Sequence, residues 1–421
     1  MVVPRRLARF DALVLTSLVW FLGKFLRYAF PPLFETLGVT YGISRTVLGT
    51  AFTGLMLVYA AMQFPSGLLA DRLGAVRVVT AGALVSAVAA FALSVDAPLL
   101  VLVGAMALVG AGTGTYKTVS VSLLSRAYPA RTGRALGIFD TFGTFGGVAA
   151  PAAVVAVSAL PPVLGAPWRT LFLGGGLVGV VLAVAFAGRV PRRLPDEPAT
   201  ATAERDAGSA DGLDSGRSDD DQTGETPPLK TYVALFRDRR FTTFVVVTIC
   251  FSFAYNGAVA FLPLYLAAET AVSSATANLL FSVLFVVSLV QLVTGEASDR
   301  VGVEPILAVT LATATAGLLA VLAFSATGGA LVLGGAVVLL GLGAHGYRPV
   351  RGAYMMAVVP ESVAGGSLGV VRTLLMGAGA VSPAIVGYLS ETAGFGPAFG
   401  LLAGALVVAT ALSLGLWALG R

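Results

Sequence analysis

Charged side chains interrupt several long apolar segments of this 421-residue chain. An ionisable group inside a membrane segment costs roughly 3 kcal/mol or more, so each one should face a partner, an aqueous cavity or a ligand. With the histidine counted as neutral, six of these groups are basic and only one is acidic. The set consists of Lys24, Arg27, Lys117, Asp140, His345, Arg348, Arg351 and Arg372.

Two pairs of the basic residues recur at a spacing of three positions, Lys24 with Arg27 and Arg348 with Arg351. On a helix this spacing places both members on one face. Neighbouring cations repel each other unless water, a carboxylate or an anionic ligand lies between them. A guanidinium fork also matches the oxygens of carboxylates and phosphates. The pattern therefore favours a site for a small anion, organic or inorganic.

Polar side chains close to these cations could orient such a ligand. Two alternatives remain open, because long basic side chains can extend to lipid headgroups, and a tyrosine in a span is more often a packing residue with a satisfied hydroxyl. The predicted substrate-binding set is Lys24, Arg27, Tyr116, Lys117, Tyr255, Asn256, Tyr347, Arg348 and Arg351.

The elements that must position these residues are membrane-spanning helices. Hydrophobic residues make up 57% of the chain and charged residues 12%, and the mean hydropathy is +0.88; soluble domains carry about 25% charged residues. About 20 apolar residues cross a bilayer as a helix. The sequence predicts an all-α integral membrane protein with about twelve spans. These lie near 12–33, 46–66, 76–95, 98–123, 135–158, 168–188, 242–264, 274–294, 303–325, 329–357, 366–388 and 396–419.

Arginines gather on one side of the predicted membrane, before the first span and after the second, fourth and sixth. Basic loops are retained in the cytoplasm, so we expect a cell-membrane protein with both termini cytoplasmic. Eleven of the 22 acidic residues lie between 190 and 240, where apolar periodicity is missing. This predicts a disordered acidic linker with a surface helix at its end. The predicted domains are thus 1–189, 190–240 and 241–421.

The chain repeats itself with a period of about 230 residues. The segment GLLADRLG at 67–74 returns as GEASDRVG at 295–302, and GTYK at 114–117 returns as HGYR at 345–348. The nearly constant offset predicts two equivalent six-helix halves. Asp140 and Arg372 occupy matching positions with opposite charges, so we expect them to contact each other across the halves near the cytoplasmic end.

These features resemble the major facilitator superfamily over almost the whole chain. The resemblance is carried by the G-x-L-A-D-R-x-G loop after the second span, its degenerate copy in the second half and the acidic linker. It implies two six-helix bundles that rock around a midplane site, a small-molecule substrate and a possible coupling ion, proton or sodium. The family's loop contacts the neighbouring bundle and favours the outward-open state. The predicted gating and coupling set is Gly67, Asp71, Arg72, Gly74, Arg77, Asp140, Asp299, Arg300 and Arg372.

Asp71 and Asp299 are further expected to lie beside a helix amino end, where the helix dipole stabilises an acid by roughly 0.3–2 kcal/mol. The resemblance is incomplete in the fifth span, which reads GTFGGVAAP at 143–151, with its proline displaced from the pattern of many drug/proton antiporters. Efflux of apolar or drug-like compounds by cation antiport is the alternative function, and a transport-inactive sensor of the same fold is another.

Other classes of protein are disfavoured. A nucleophile with a base at a recognised spacing, or a clustered set of histidine, cysteine and carboxylate residues, is not found in the sequence, which argues against an enzyme. We expect no cofactor, no metal and no nucleic-acid partner. The expected partners are the lipid bilayer and a small solute, and the expected state is a monomer.

Overall fold

The computed structural model describes residues 10–191, 236–358 and 364–419. Within these ranges, twelve segments are long and apolar enough to cross a membrane, as the sequence predicts. Most of the predicted linker, and of the helix at its end, lies outside the described residues. Spans 1 to 12 are Asp11–Tyr41, Arg45–Leu73, Ala75–Ser94, Leu99–Ala127, Pro129–Ser158, Pro167–Arg189, Arg239–Glu269, Ser274–Val301, Val303–Ala323, Ala330–Ala357, Val371–Thr392 and Phe395–Leu419.

Two spans are built from two helices each. Span 1 consists of helices Asp11–Tyr28 and Phe30–Tyr41, and Pro31 and Pro32 lie in the first turn of the second helix, where a missing N–H donor costs little. Span 8 consists of Ser274–Val286 and Val290–Val301, joined by a 3₁₀ turn at Val287–Leu289. The breaks occur in the first span of the first half and the second span of the second half.

Spans 1–6 and spans 7–12 pack in the same pattern. Span 1 lies against span 5, span 2 against span 4, and span 3 against spans 4 and 6; the corresponding pairs recur six spans later. Gly74 and Gly302, which separate the second and third spans of each half, both adopt positive φ, 88° and 106°. The fold is therefore the predicted pair of pseudo-symmetric six-helix bundles.

The two halves meet most closely at one end, which we call the closed face; it contains the turns at residues 42–44, 270–273 and 393–394. There the Arg45 guanidinium donates to the Ser390 carbonyl at 2.9 Å. The backbone N–H of Thr46 donates to Glu391 Oε2 at 3.0 Å, and its hydroxyl donates to the same oxygen at 2.5 Å. These bonds join span 2 of the first half to span 11 of the second.

The backbones of spans 2 and 11 also touch directly below these bonds. A Cβ placed on Gly49 would lie 2.2 Å from the Pro383 carbonyl oxygen, so no larger residue fits without separating the helices. On the other side of the interface, the Ser274 hydroxyl donates to Glu35 at 2.9 Å. The closed face is thus sealed by polar contacts at its rim and by backbone contact beneath them.

Candidate functional site

A cavity of about 610 Å³ lies between the two halves on the side away from the closed face. Spans 1, 2, 4 and 5 line it from one half, and the equivalent spans 7, 8, 10 and 11 from the other. Among the described residues, five basic side chains and one acidic side chain face it, so this lining carries four net positive charges. They are Lys24, Arg27, Lys117, Arg348, Arg351 and Asp140.

The cations lie near the middle of their spans. Arg27, Tyr59 and Tyr255 are each fourteen residues from the closed-face end of span 1, 2 or 7, which corresponds to about 21 Å along a helix. Lys117 and Arg348 are each eighteen residues from the closed-face end of span 4 or 10, or about 27 Å. A layer of charge and aromatic rings therefore crosses the molecule at its centre.

In span 1, the cations rest on aromatic rings. The Arg27 guanidinium lies 5.0 Å from the ring centre of Tyr28 and 4.7 Å from that of Tyr59. The ammonium of Lys24 lies 5.3 Å from the ring of Trp20 and 5.4 Å from the ring of Tyr28. Ring faces attract cations within about 6 Å. Tyr28 therefore holds Lys24 and Arg27 against one ring despite their mutual repulsion.

The other half contributes a similar contact, since the Arg348 guanidinium lies 4.9 Å from the ring of Tyr255. Lys117 lies 4.6 Å from the ring of Trp20, and its ammonium is 2.5 Å from Asp140. Lys117 is thus the cavity cation with an acidic partner. Within the described residues, Lys24, Arg27, Arg348 and Arg351 have no carboxylate within ion-pair distance. These four cations therefore lie against aromatic rings of the protein rather than against its carboxylates.

The repeat in the sequence is reproduced in these contacts. Four positions around the cavity recur 231 residues later, three of them with related side chains. Trp20 packs on Tyr116 in the first half, and Phe251 packs on Tyr347 in the second, with ring centroids 6.3 Å and 4.2 Å apart. The pairs are Trp20 with Phe251, Lys24 with Tyr255, Tyr116 with Tyr347, and Lys117 with Arg348.

Seven of the nine predicted substrate-binding residues line the cavity; their role in binding stays a prediction. The other two, Tyr116 and Tyr347, do not line it, and their role in binding also stays a prediction. Tyr116 is 1% exposed and packs behind Trp20. The Tyr347 hydroxyl is 3.2 Å from Thr248 and its ring lies behind Phe251. Both tyrosines support the wall from behind, the packing role that was the alternative.

The expected contact between Asp140 and Arg372 is not formed. Asp140 instead pairs with Lys117 of its own half, because spans 4 and 5 place the two groups in direct reach. Arg372 donates to the Gln63 side-chain oxygen at 2.6 Å. Arg372 therefore does join the two halves, through an amide of span 2 rather than through a carboxylate of span 5.

Asp71 and Asp299 are not loop residues beside a helix amino end. Each lies in the final turn of its own helix, Arg45–Leu73 or Val290–Val301, and the turn proper is a single glycine. The helices continue to the glycine because a positive φ there is enough to reverse the chain. Asp71 is exposed, and Arg300 pairs with Glu296 one turn earlier. Of the other predicted gating residues of this motif, Gly74 is the first of these turns, Gly67 and Arg72 precede it in the helix Arg45–Leu73, and Arg77 follows it in the first turn of the helix Ala75–Ser94.

Sequence reasoning missed three residues around the cavity. Trp20 contacts two of its cations, Tyr59 supports Arg27, and Gln63 accepts from Arg372. The repeat could have identified Trp20, since its counterpart Phe251 stands 231 residues later beside another predicted site residue. Tyr59 and Gln63 carry no charge, and nothing in the pattern of span 2 distinguishes them from packing residues.

A family model described as Major Facilitator Superfamily matches residues 14–269 and 244–421. The chain belongs to this superfamily of membrane transporters. The predicted resemblance is confirmed, together with the twelve-span fold. Comparison with curated protein sequences found no significant match.

Solved structures of transporters share the fold at low sequence identity. A bacterial homologue of the human lysosomal transporter Spinster, inward-facing and occupied, has a TM-score of 0.74 at 15% identity, over 96% of this chain and 96% of that one. The nucleoside transporter NupG gives 0.70 at 15%, over 97% and 99%. The peptide transporter POT in complex with sulfate gives 0.71 at 17%, over 97% and 94%.

Proposed function

We propose that this protein is a secondary active transporter that moves a small anion, organic or inorganic, across the cell membrane by alternating access. The observation that carries the proposal is the set of four cavity cations, Lys24, Arg27, Arg348 and Arg351, without a carboxylate partner among the described residues. An anion that enters gains charge-assisted hydrogen bonds, which are about twice as strong as neutral ones. A cation is repelled by the same groups.

The proposed orientation follows the arginines. Arg72, Arg126 and Arg189 stand at the ends of spans 2, 4 and 6 opposite the closed face, and basic loops of this kind stay in the cytoplasm. The closed face is then extracellular, both termini are cytoplasmic, and the cavity opens inward. Release of the bonds from Arg45 and Thr46 to span 11 would open the other side, as alternating access requires.

Asp140 is the proposed site of the coupling ion, a proton or sodium. Within the part of the chain that the structure describes, its carboxylate is the acidic group of the cavity lining, and it is 64% exposed, so an ion from the cavity can reach it. Binding of a cation there would weaken its hold on Lys117 and free that ammonium for the substrate. Binding of the coupling ion would thus favour binding of the substrate without direct contact between the two.

Uptake by the purified full-length chain in proteoliposomes tests the proposal, with labelled carboxylates, phosphate, nitrate and sulfate as candidate substrates. Removing one partner of a buried charge pair costs about 2–5 kcal/mol. Arg27→Gln and Arg348→Gln should therefore reduce uptake of the transported anion at least about thirtyfold. Arg189→Gln, at an exposed position outside the cavity, is the matched control and should transport normally.

Three results would contradict the proposal. Normal anion uptake by both cavity variants would remove the role of the cations. Uptake of neutral lipophilic compounds in place of anions would favour drug efflux. Anion binding without any flux would identify a sensor of the same fold.

A further inference from the structure

We propose that the transported anion is amphipathic: a carboxylate or comparable anionic group attached to an apolar, flat body about the size of an aromatic ring or larger. This inference rests on the proposed anion transport and narrows its substrate class. It is drawn from the size of the cavity, from the apolar wall that lies between the cations and the closed face, and from the aromatic rings beside the cations.

The cavity is too large for a bare inorganic anion. Its volume of about 610 Å³ lies within the range of about 300–1,000 Å³ typical of sites for drug-sized molecules. A water molecule occupies about 30 Å³ in the liquid, and an oxyanion of four or five heavy atoms is only a few times larger. Such an ion would leave most of the cavity filled with water.

The end of the cavity nearest the closed face is apolar. Phe52, Met56 and Val259 line it there, seven, eleven and ten residues from the closed-face ends of spans 2 and 7. These positions correspond to about 10–16 Å along their helices, whereas the cations begin at about 21 Å. The apolar wall therefore lies beyond the charges, as seen from the open side. A ligand body that enters this end removes apolar surface from water, on both itself and the protein.

Aromatic rings also line the cavity within the charged layer itself. Tyr28, Tyr59 and Tyr255 lie beside the guanidinium groups of Arg27 and Arg348, at 4.7–5.0 Å from them. Aromatic groups pack on one another with centroids about 4.5–7 Å apart. A flat body can rest on these rings while its anionic group turns toward the cations. The two parts of an amphipathic anion thus find separate and adjacent surfaces.

A set of four probes tests this inference by thermal stabilisation of the purified full-length protein, because a ligand that binds the native state raises apparent stability. The probes are phenylacetate, acetate, phenylacetamide and inorganic phosphate. Phenylacetate should stabilise at concentrations at least about tenfold lower than acetate or phosphate, since even one methylene group in an apolar pocket contributes about tenfold. Phenylacetamide, which has the ring and lacks the charge, should have no effect.

The outcomes separate this inference from the proposed function. Equal or stronger stabilisation by acetate or phosphate would overturn the amphipathic substrate and leave anion transport standing. Equal stabilisation by phenylacetamide would overturn anion transport itself. Stabilisation by none of the four probes would overturn the amphipathic substrate as well.

A pair of near-isosteric variants locates the apolar body. Met56→Gln places an amide in the apolar wall and should weaken phenylacetate binding about tenfold while acetate binding stays unchanged. Met62 lies on the same span, is half-buried and does not line the cavity, so Met62→Gln is the matched control and should change neither. Val259→Thr repeats the test from span 7 if Met56→Gln does not fold. Unchanged phenylacetate binding in both wall variants would overturn the assignment.

Discussion

The ammonium nitrogen of Lys117 lies 2.5 Å from a carboxylate oxygen of Asp140, and both residues line the cavity between the halves. Asp140 therefore neutralises one of five cavity cations with a group tethered to the protein. It occupies a position in which the charged end of a free anion could bind. An anionic ligand that approaches Lys117 must compete with this carboxylate.

Asp140→Asn should consequently raise the affinity for the substrate anion. The change removes the acidic charge of the lining and frees Lys117. At an effective dielectric constant of about 20, one charge about 8 Å away contributes about 2 kcal/mol before screening by solvent, so we expect a gain of about threefold to tenfold. Thermal-shift titration measures it. Asp96→Asn, whose carboxylate pairs with Arg169 away from the cavity, should leave affinity unchanged; equal or weaker binding in Asp140→Asn would show that no competition exists.

Gly49→Ala should prevent the closed face from forming. The added methyl group would lie 2.2 Å from the Pro383 carbonyl, which is backbone and cannot turn aside. We expect transport to fall at least about tenfold, since even limited overpacking costs about 1–3 kcal/mol. Gly54→Ala is the control on the same span, because nothing lies within 4 Å of the added atom. Equal uptake by the two variants would mean that spans 2 and 11 do not need this contact.

Glu391→Gln should favour opening of the closed face. The carboxylate accepts hydrogen bonds from both the backbone N–H and the hydroxyl of Thr46, and charge-assisted hydrogen bonds of this kind are stronger than those that a neutral amide would accept. In a Cys250→Ser background, which lacks cysteine, Met56→Cys reports access to the cavity from outside. Adding Glu391→Gln should speed its reaction with an impermeant thiol reagent by about tenfold. Glu296→Gln, which affects an exposed pair at the opposite end, should not.

Asp71→Asn should slow cycling more than substrate binding. Asp71 is exposed at the end of span 2 and lies far from the cavity lining, so it can affect the movement of the halves without touching the ligand. The expected result is a lower maximal uptake rate with an unchanged dissociation constant from thermal shift. A proportional loss of affinity would contradict a role in cycling alone.

The architecture could be predicted because it depends on patterns that extend over many residues. Twenty-residue apolar segments fix the number of spans, and the offset between Asp71 and Asp299 divides them into two halves. The cavity cations could be predicted because a charge in an apolar segment must face something other than lipid. Lys24, Arg27 and Arg348 obey that rule individually, without reference to their neighbours in space.

The partners of these charges could not be predicted. Matching positions in a repeat suggested that Asp140 meets Arg372, but the rotation that relates the halves brings equivalent positions together only where they lie next to its axis. Asp140 pairs with Lys117 on the adjacent span, and Arg372 donates a hydrogen bond to Gln63 instead. Likewise, being next to a basic residue in sequence does not decide which side chain faces the cavity: Tyr28 lines it together with Arg27, whereas Tyr116 lies behind the wall that Lys117 lines.

The four net positive charges of the cavity give the transport cycle a dependence on membrane voltage. One elementary charge moved through 100 mV gains or loses about 2.3 kcal/mol. With the proposed orientation and substrate, a cell interior that is electrically negative would hold the empty site on the cytoplasmic side, and a bound anion would cancel part of this preference. The membrane potential should therefore oppose the step in which the empty site returns to the extracellular side. Turnover should respond to membrane potential even at saturating substrate.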